Sequence, residues 1–108
     1  MREWICAATE IHPHAAVVTY ASDMTMYDSI LHQHRYRWED EDFMGASLDH
    51  CMWFHRPFRA DEWLLFDTES PTASGARGLA RGLLFSRAGE LVVSVVQEGL
   101  VRIGPKRA

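Results

Sequence analysis

The sequence predicts an α+β domain in which a curved antiparallel sheet wraps around one long central helix. Three observations predict it. One long stretch carries apolar residues at helical spacing, the later stretches alternate or run apolar as strands do, and one of those strands bears a row of small residues where a helix must come close.

Residues Glu3 to Ala8 read as a short strand. Pro13 then stands where a helix begins, because proline's fixed φ suits a first helical turn. From His14 to about His32, Val17, Tyr20, Ala21, Met24, Tyr27 and Leu31 recur at steps of three and four, which predicts a helix with one apolar stripe. The acidic run Glu39-Asp40-Glu41-Asp42 reads as a solvated loop. After Gly45, Ala46 to Phe54 alternates, with Ser47, Asp49, Cys51 and Trp53 on one face and Leu48, His50, Met52 and Phe54 on the other. Arg56-Pro57 ends that strand, Trp63 to Thr68 makes the next, and Ser70 to Gly75 has the composition of a loop.

From Ala76 to Ser86, Ala76, Gly78, Ala80, Gly82 and Leu84 share a face. Glycine weakens a strand interior, so the Gly78/Ala80/Gly82 row marks the place where the helix touches the sheet. Leu79, Leu83 and Phe85 point the other way and need cover of the kind a second copy could supply. Ala88-Gly89 reads as a tight hairpin turn, and Leu91 to Ile103 as a central strand covered on both sides. The last three strands then pair as an antiparallel meander.

Composition narrows the function. The 108 residues are 47% hydrophobic, which suits one globular domain over residues 1–108. Fifteen acidic against eleven basic side chains, with no dense Lys/Arg cluster, leave no electrostatic footprint for nucleic acid or for an anionic membrane surface. The apolar runs are too short to span a bilayer, and Met1-Arg2-Glu3-Trp4 lacks the basic end and apolar stretch of a signal peptide. The expected location is the cytoplasm, with Cys6 and Cys51 as reduced thiols.

Three polar residues sit awkwardly. Asp23 lies in mid-helix beside an aromatic stripe, with Thr19, Tyr20, Met26 and Tyr27 at three and four residues and no cation among them. Gln97 interrupts an apolar run that reads as buried, where an unsatisfied amide costs about 1–3 kcal/mol. Ser47, near a strand start, is the least informative. Other constellations are weaker. Ser47, Asp49 and His50 have the residue types of a hydrolytic triad, yet strict alternation turns His50 away from Ser47. The His12/His14 and His32/His34 pairs lie at opposite ends of the helix without a matching carboxylate or thiol, so no metal or other cofactor is expected. Cys51, among Met52, Trp53 and Phe54, reads as a packed thiol.

The segments Tyr20-Ala21-Ser22-Asp23, Ser47 through Phe58 (SLDHCMWFHRPF), Glu62-Trp63-Leu64-Leu65, Glu69 through Gly78, and Val95-Val96-Gln97-Glu98-Gly99 together resemble the C-terminal half of acyl-CoA thioesterase II. The resemblance runs from about Trp4 to Arg102, and its D-H-x-M-W-F-H-R-P block is specific. It implies a single hotdog fold and hydrolysis of acyl-CoA thioesters to free fatty acid and CoA, without metal or covalent intermediate. Carried over by position, the residues that hold the attacking water are Asp23, Ser47 and Gln97, with serine where many relatives have threonine. Backbone N–H groups at the N-terminal side of the helix are then the natural donors to the oxyanion. The family's chains carry two hotdog repeats with the active site between them, and this chain corresponds to the second. The resemblance thus implies a homodimer or higher oligomer of hotdogs, a separate partner for the first half, or a fragment. The competing expectations are an acyl-CoA binder that needs a partner hotdog for activity, and hydration of an enoyl thioester, for which no matching His/Asp motif is present.

Overall fold

The computed structural model describes residues 2–6, 14–34 and 43–103. In chain order these form β1 (Arg2–Ile5), α1 (His14–His34), β2 (Phe43–Phe54), β3 (Leu64–Ser74), β4 (Arg77–Phe85) and β5 (Leu91–Ile103). The strands make one antiparallel sheet in the order β1-β3-β4-β5-β2, and α1 packs against β2, β3, β4 and β5. The meander is the expected one. Strand β2 docks outside β5 and β1 outside β3, so these two form the sheet edges.

Glycine fixes the depth of the helix on the sheet. A Cβ added at Gly82 would stand 2.7 Å from Phe66 Cε2 and 3.0 Å from Met26 Sδ, and one added at Gly78 would collide with the Ile30 side chain. Met26 and Ile30 are fully buried on this floor, together with Ala80, Phe66 and Leu84. The small residues therefore act as expected, admitting two large helix side chains where a strand normally presents its own.

That floor also sets the rotation of the helix. The buried row is Val18, Ser22, Met26 and Ile30, a strict four-residue repeat flanked by Tyr27, Ser29 and Leu31. Tyr20, placed on the apolar stripe by its spacing, is instead 72% exposed. Seating Met26 and Ile30 over the two glycines turns Tyr20 out to solvent.

Other boundaries move for local reasons. The helix continues to His34, beyond the expected His32, because its end is tied to β3. Ser70 N–H donates to Gln33 Oε1 at 2.8 Å, and His34 Nε2 lies 2.8 Å from Ser70 Oγ. Residues 70–74, expected as loop, are strand. Pro71 fits there because the β3–β4 register shifts between Glu69 and Thr72, and at such a bulge a missing N–H breaks no ladder bond. The turn shrinks to Gly75 and Ala76, both at φ 62°. Strand β2 starts at Phe43 rather than Ala46, and β3 at Leu64 rather than Trp63. Ala7, Ala8, His12, Pro13 and the acidic run 39–42 lie outside the described residues.

On β5 the inward row Val93, Val95, Gln97, Gly99 and Val101 is buried, while Ser94, Val96, Glu98 and Leu100 on the other face are half-buried. The outer face of β4 is partly open, with Leu83 exposed and Leu79 and Phe85 half-buried. No helix among the described residues is long and apolar enough to cross a membrane.

Candidate active site

Gln97 is the one polar side chain in the inward row of β5, and it is fully buried. A buried amide must find partners, and this one reaches two other elements. Its Nε2 donates to Asp23 Oδ1 on α1 at 3.2 Å and to Ser47 Oγ on β2 at 2.6 Å. The carboxylate fixes the orientation of the amide, since an ionised Asp only accepts and so must face the nitrogen. Both amide hydrogens are then used. Gln97 Oε1 remains buried without a hydrogen-bond partner among the described residues.

The structure thus brings together the three residues singled out from the sequence, from a helix and two adjacent strands. It differs from the expectation in solvation. Asp23, expected beside an aromatic stripe, is exposed in the single chain, as is Ser47, and only Gln97 is enclosed. A carboxylate, a hydroxyl and an amide converging in this way can hold a water molecule by several of its lone pairs and hydrogens, with the carboxylate ready to take a proton. The helix N-terminus is distant from this point. Asp23 stands nine residues after the first helical residue His14, roughly 13 Å along the axis at 1.5 Å per residue, so the first-turn N–H groups do not reach it.

A bulge in β2 makes the convergence possible. Ser47 pairs with Gly99 and Asp49 with Glu98, which leaves Leu48 as an extra residue in β2. Alternation is therefore inverted across Leu48. Ser47 and His50 both face the helix, whereas strict alternation puts them on opposite faces. His50 stands opposite Gln97 in the register, and its Nε2 lies 3.1 Å from Ser22 Oγ. Sequence reading set His50 aside because a single-residue bulge leaves no mark in an alternating pattern.

The remaining candidates do not gather. His34 is bound to Ser70 at the far end of the helix, Cys6 and Cys51 are free and exposed, and no three His, Cys, Asp or Glu side chains among the described residues could hold a metal ion.

Comparison with known proteins places the chain in a family. A mouse acyl-coenzyme A thioesterase 8 is 48% identical over 99 residues, covering 90% of this chain and 30% of that protein. An acyl-CoA thioesterase 2 from Haemophilus influenzae is 41% identical over 86 residues, 80% of this chain and again 30% of the relative. The chain thus spans about a third of the curated relatives it matches. Among solved structures, an acyl-CoA thioesterase II from Mycobacterium marinum superposes with a TM-score of 0.86 at 43% identity, over 95% of this chain and 41% of that one. A Bacillus halodurans protein solved with CoA shares the fold at a TM-score of 0.73 and 12% identity, over 92% of this chain and 69% of that one. The five-stranded curved sheet around one helix is a single hotdog. Residues 3–100, which hold Asp23, Ser47 and Gln97, match the acyl-CoA thioesterase profile, and the chain belongs to that family.

Proposed function

We propose that the protein hydrolyses acyl-CoA thioesters to free acid and CoA, using a water molecule held by Asp23, Ser47 and Gln97, and that it does so as a pair of hotdogs. The observation that carries the reading is the buried Gln97 amide bonded at once to Asp23 and Ser47. Family membership supplies the substrate class.

In this mechanism Asp23 accepts a proton as the water oxygen attacks the thioester carbonyl. The new C–O bond forms, the C–S bond then breaks, and the sulfur leaves with its electron pair and receives the proton from the Asp23 carboxyl. General-base action of this kind contributes typically about 10²- to 10⁴-fold. Gln97 and Ser47 orient the water, which turns part of the encounter entropy into fixed geometry.

A second hotdog answers two needs of the single chain. Asp23 and Ser47 are open to solvent, where a base and its water are poorly defined, and enclosure strengthens every polar interaction at the site. The oxyanion also needs donors that the distant first turn of α1 does not provide. Strand β2 offers the joint: it is a sheet edge, and Met44, Leu48, Trp53 and Phe54 along it are each about half exposed. A long apolar edge of this kind is a template for pairing, and a second copy docked along it joins two sheets and creates two equivalent sites.

The test is a thiol-release assay on purified protein with acyl-CoAs from short to palmitoyl, run beside light scattering. Hydrolysis is expected, and Asp23→Asn lowers kcat by about 10²-fold or more with the fold intact. Tight acyl-CoA binding without turnover supports the binder instead, and undiminished turnover by Asp23→Asn overturns the mechanism.

A further inference from the structure

Strand β2 meets the helix directly at Ser22, one residue before Asp23. Ser22 is 2% exposed, and its hydroxyl lies 3.0 Å from Thr19 O, 3.1 Å from His50 Nε2 and 3.7 Å from Met52 Sδ. A hydroxyl has one hydrogen to give, and the carbonyl and thioether can only accept it. The imidazole can donate to this hydroxyl or accept from it, according to its tautomer, and either way it bonds the strand to the helix. Because of the bulge at Leu48, this ring and Ser47 face the helix from the same strand.

The two bonds of Gln97 differ in reserve. Gln97 meets Ser47 at 2.6 Å, strand to adjacent strand within one ladder. It meets Asp23 at 3.2 Å, near the long limit of a good N–H···O bond, and from a separate element. A small shift of α1 over the sheet thus breaks the Asp23 bond first. The side-chain contact nearest in sequence to that weak bond is Ser22 with His50.

We propose that His50 is a positioning residue for hydrolysis: its Nε2, hydrogen-bonded to Ser22 Oγ, clamps α1 to β2 beside Asp23 and keeps the carboxylate within reach of Gln97. This rests on the role assigned above to Asp23, Ser47 and Gln97. His50 touches neither the water nor the thioester. It acts through Ser22, by holding the base where the water is.

The experiment pairs kinetics with a readout that needs no turnover, the side-chain amide resonances of Gln97 in nitrogen-proton NMR. His50→Leu removes the hydrogen-bonding group, and His50→Gln keeps one at nearly the Nε2 position, able to donate or accept. His50→Leu is expected to lower kcat about tenfold to thirtyfold, in the range that misplacement of about an ångström produces, with KM within about twofold. The Gln97 amide signals move toward solvent values. Ser22→Ala reproduces both effects, the double variant is no worse than either single one, and His50→Gln restores most of kcat. Folded His50→Leu with unchanged kcat and unchanged Gln97 signals overturns the proposal. So does His50→Gln as impaired as His50→Leu. If the wild-type protein releases no thiol, the underlying assignment fails by itself, and the Gln97 signals still decide whether His50 holds the network.

Discussion

The side-chain amide of Gln97 donates to the carboxylate of Asp23 across 74 residues of chain, at 3.2 Å. The same nitrogen donates to Ser47, and the carbonyl end of the amide is buried with no partner among the described residues. Few structural purposes need such an arrangement. An apolar side chain of the same volume would complete the inward row of β5 beside Val95 without the cost of an enclosed amide.

That comparison is itself a test. Gln97→Leu preserves shape and removes an unsatisfied carbonyl, so the denaturation midpoint is expected to correspond to within about 1 kcal/mol of wild type. kcat falls by about tenfold or more, since Asp23 and Ser47 lose their shared donor. Urea unfolding beside thiol release separates the two. A large stability loss with unchanged kcat assigns Gln97 to the core.

Residues differ in how much of this their sequence context discloses. Gly78 and Gly82 were legible because a strand has no local use for a pair of glycines on one face, and the structure puts Ile30 and Met26 against them. Asp23 and Gln97 were legible as polar groups without local partners. His50 was hidden, because the bulge at Leu48 depends on how β2 meets β5 and not on any property of β2 alone. Tyr20 misled for a related reason. The apolar residues of α1 span a broad arc, and the sheet floor, not the helix, decides which part of it is buried. Pro71 and its neighbours looked like a turn, and pairing with β4 across a register shift made them strand.

The floor predicts a local energetic penalty. Alanine in place of glycine within a strand ordinarily gains about 0.5–1 kcal/mol from backbone entropy. Gly82→Ala is expected to lose about 1–3 kcal/mol instead, because the new methyl meets the buried Phe66 ring and Met26 sulfur at less than van der Waals distance. Urea unfolding measures this. Shortening the sulfur-bearing chain by Met26→Ala in the same protein recovers part of the clash, so the two changes are non-additive.

Tyr27 gives the protein an alkaline limit. The ring packs against Gly99, the O–H donates to Leu100 O, and burial pushes the phenol above its ordinary value of 10.0. A group held more firmly protonated in the folded state stabilises fully below its unfolded value. That contribution is lost as pH rises from about 10 through the higher folded value. Thermal unfolding of wild type is therefore expected to weaken above pH 10 more steeply than that of Tyr27→Phe. At neutral pH the variant is less stable by about 1 kcal/mol, the usual worth of the lost hydrogen bond. Parallel pH slopes for the two proteins remove Tyr27 as the cause.

The edge of the sheet provides the last test, of assembly. Trp53 is 51% exposed on β2, opposite Ser94 of β5, with the other side of its strand unpaired among the described residues. Lysine at such a position is a common natural block to edge pairing, since docking a second strand would bury its charge. Trp53→Lys lies six residues from Ser47 and leaves Asp23, Ser47 and Gln97 in place, so any effect on turnover passes through assembly. If two copies join along β2, the variant elutes and scatters light as a single chain, and kcat falls with the dimer fraction, recovering at high protein concentration. A variant that stays dimeric with full activity moves the joint elsewhere on the molecule. A wild-type protein that is monomeric and active shows that one hotdog suffices, and that the donors for the oxyanion lie within this chain.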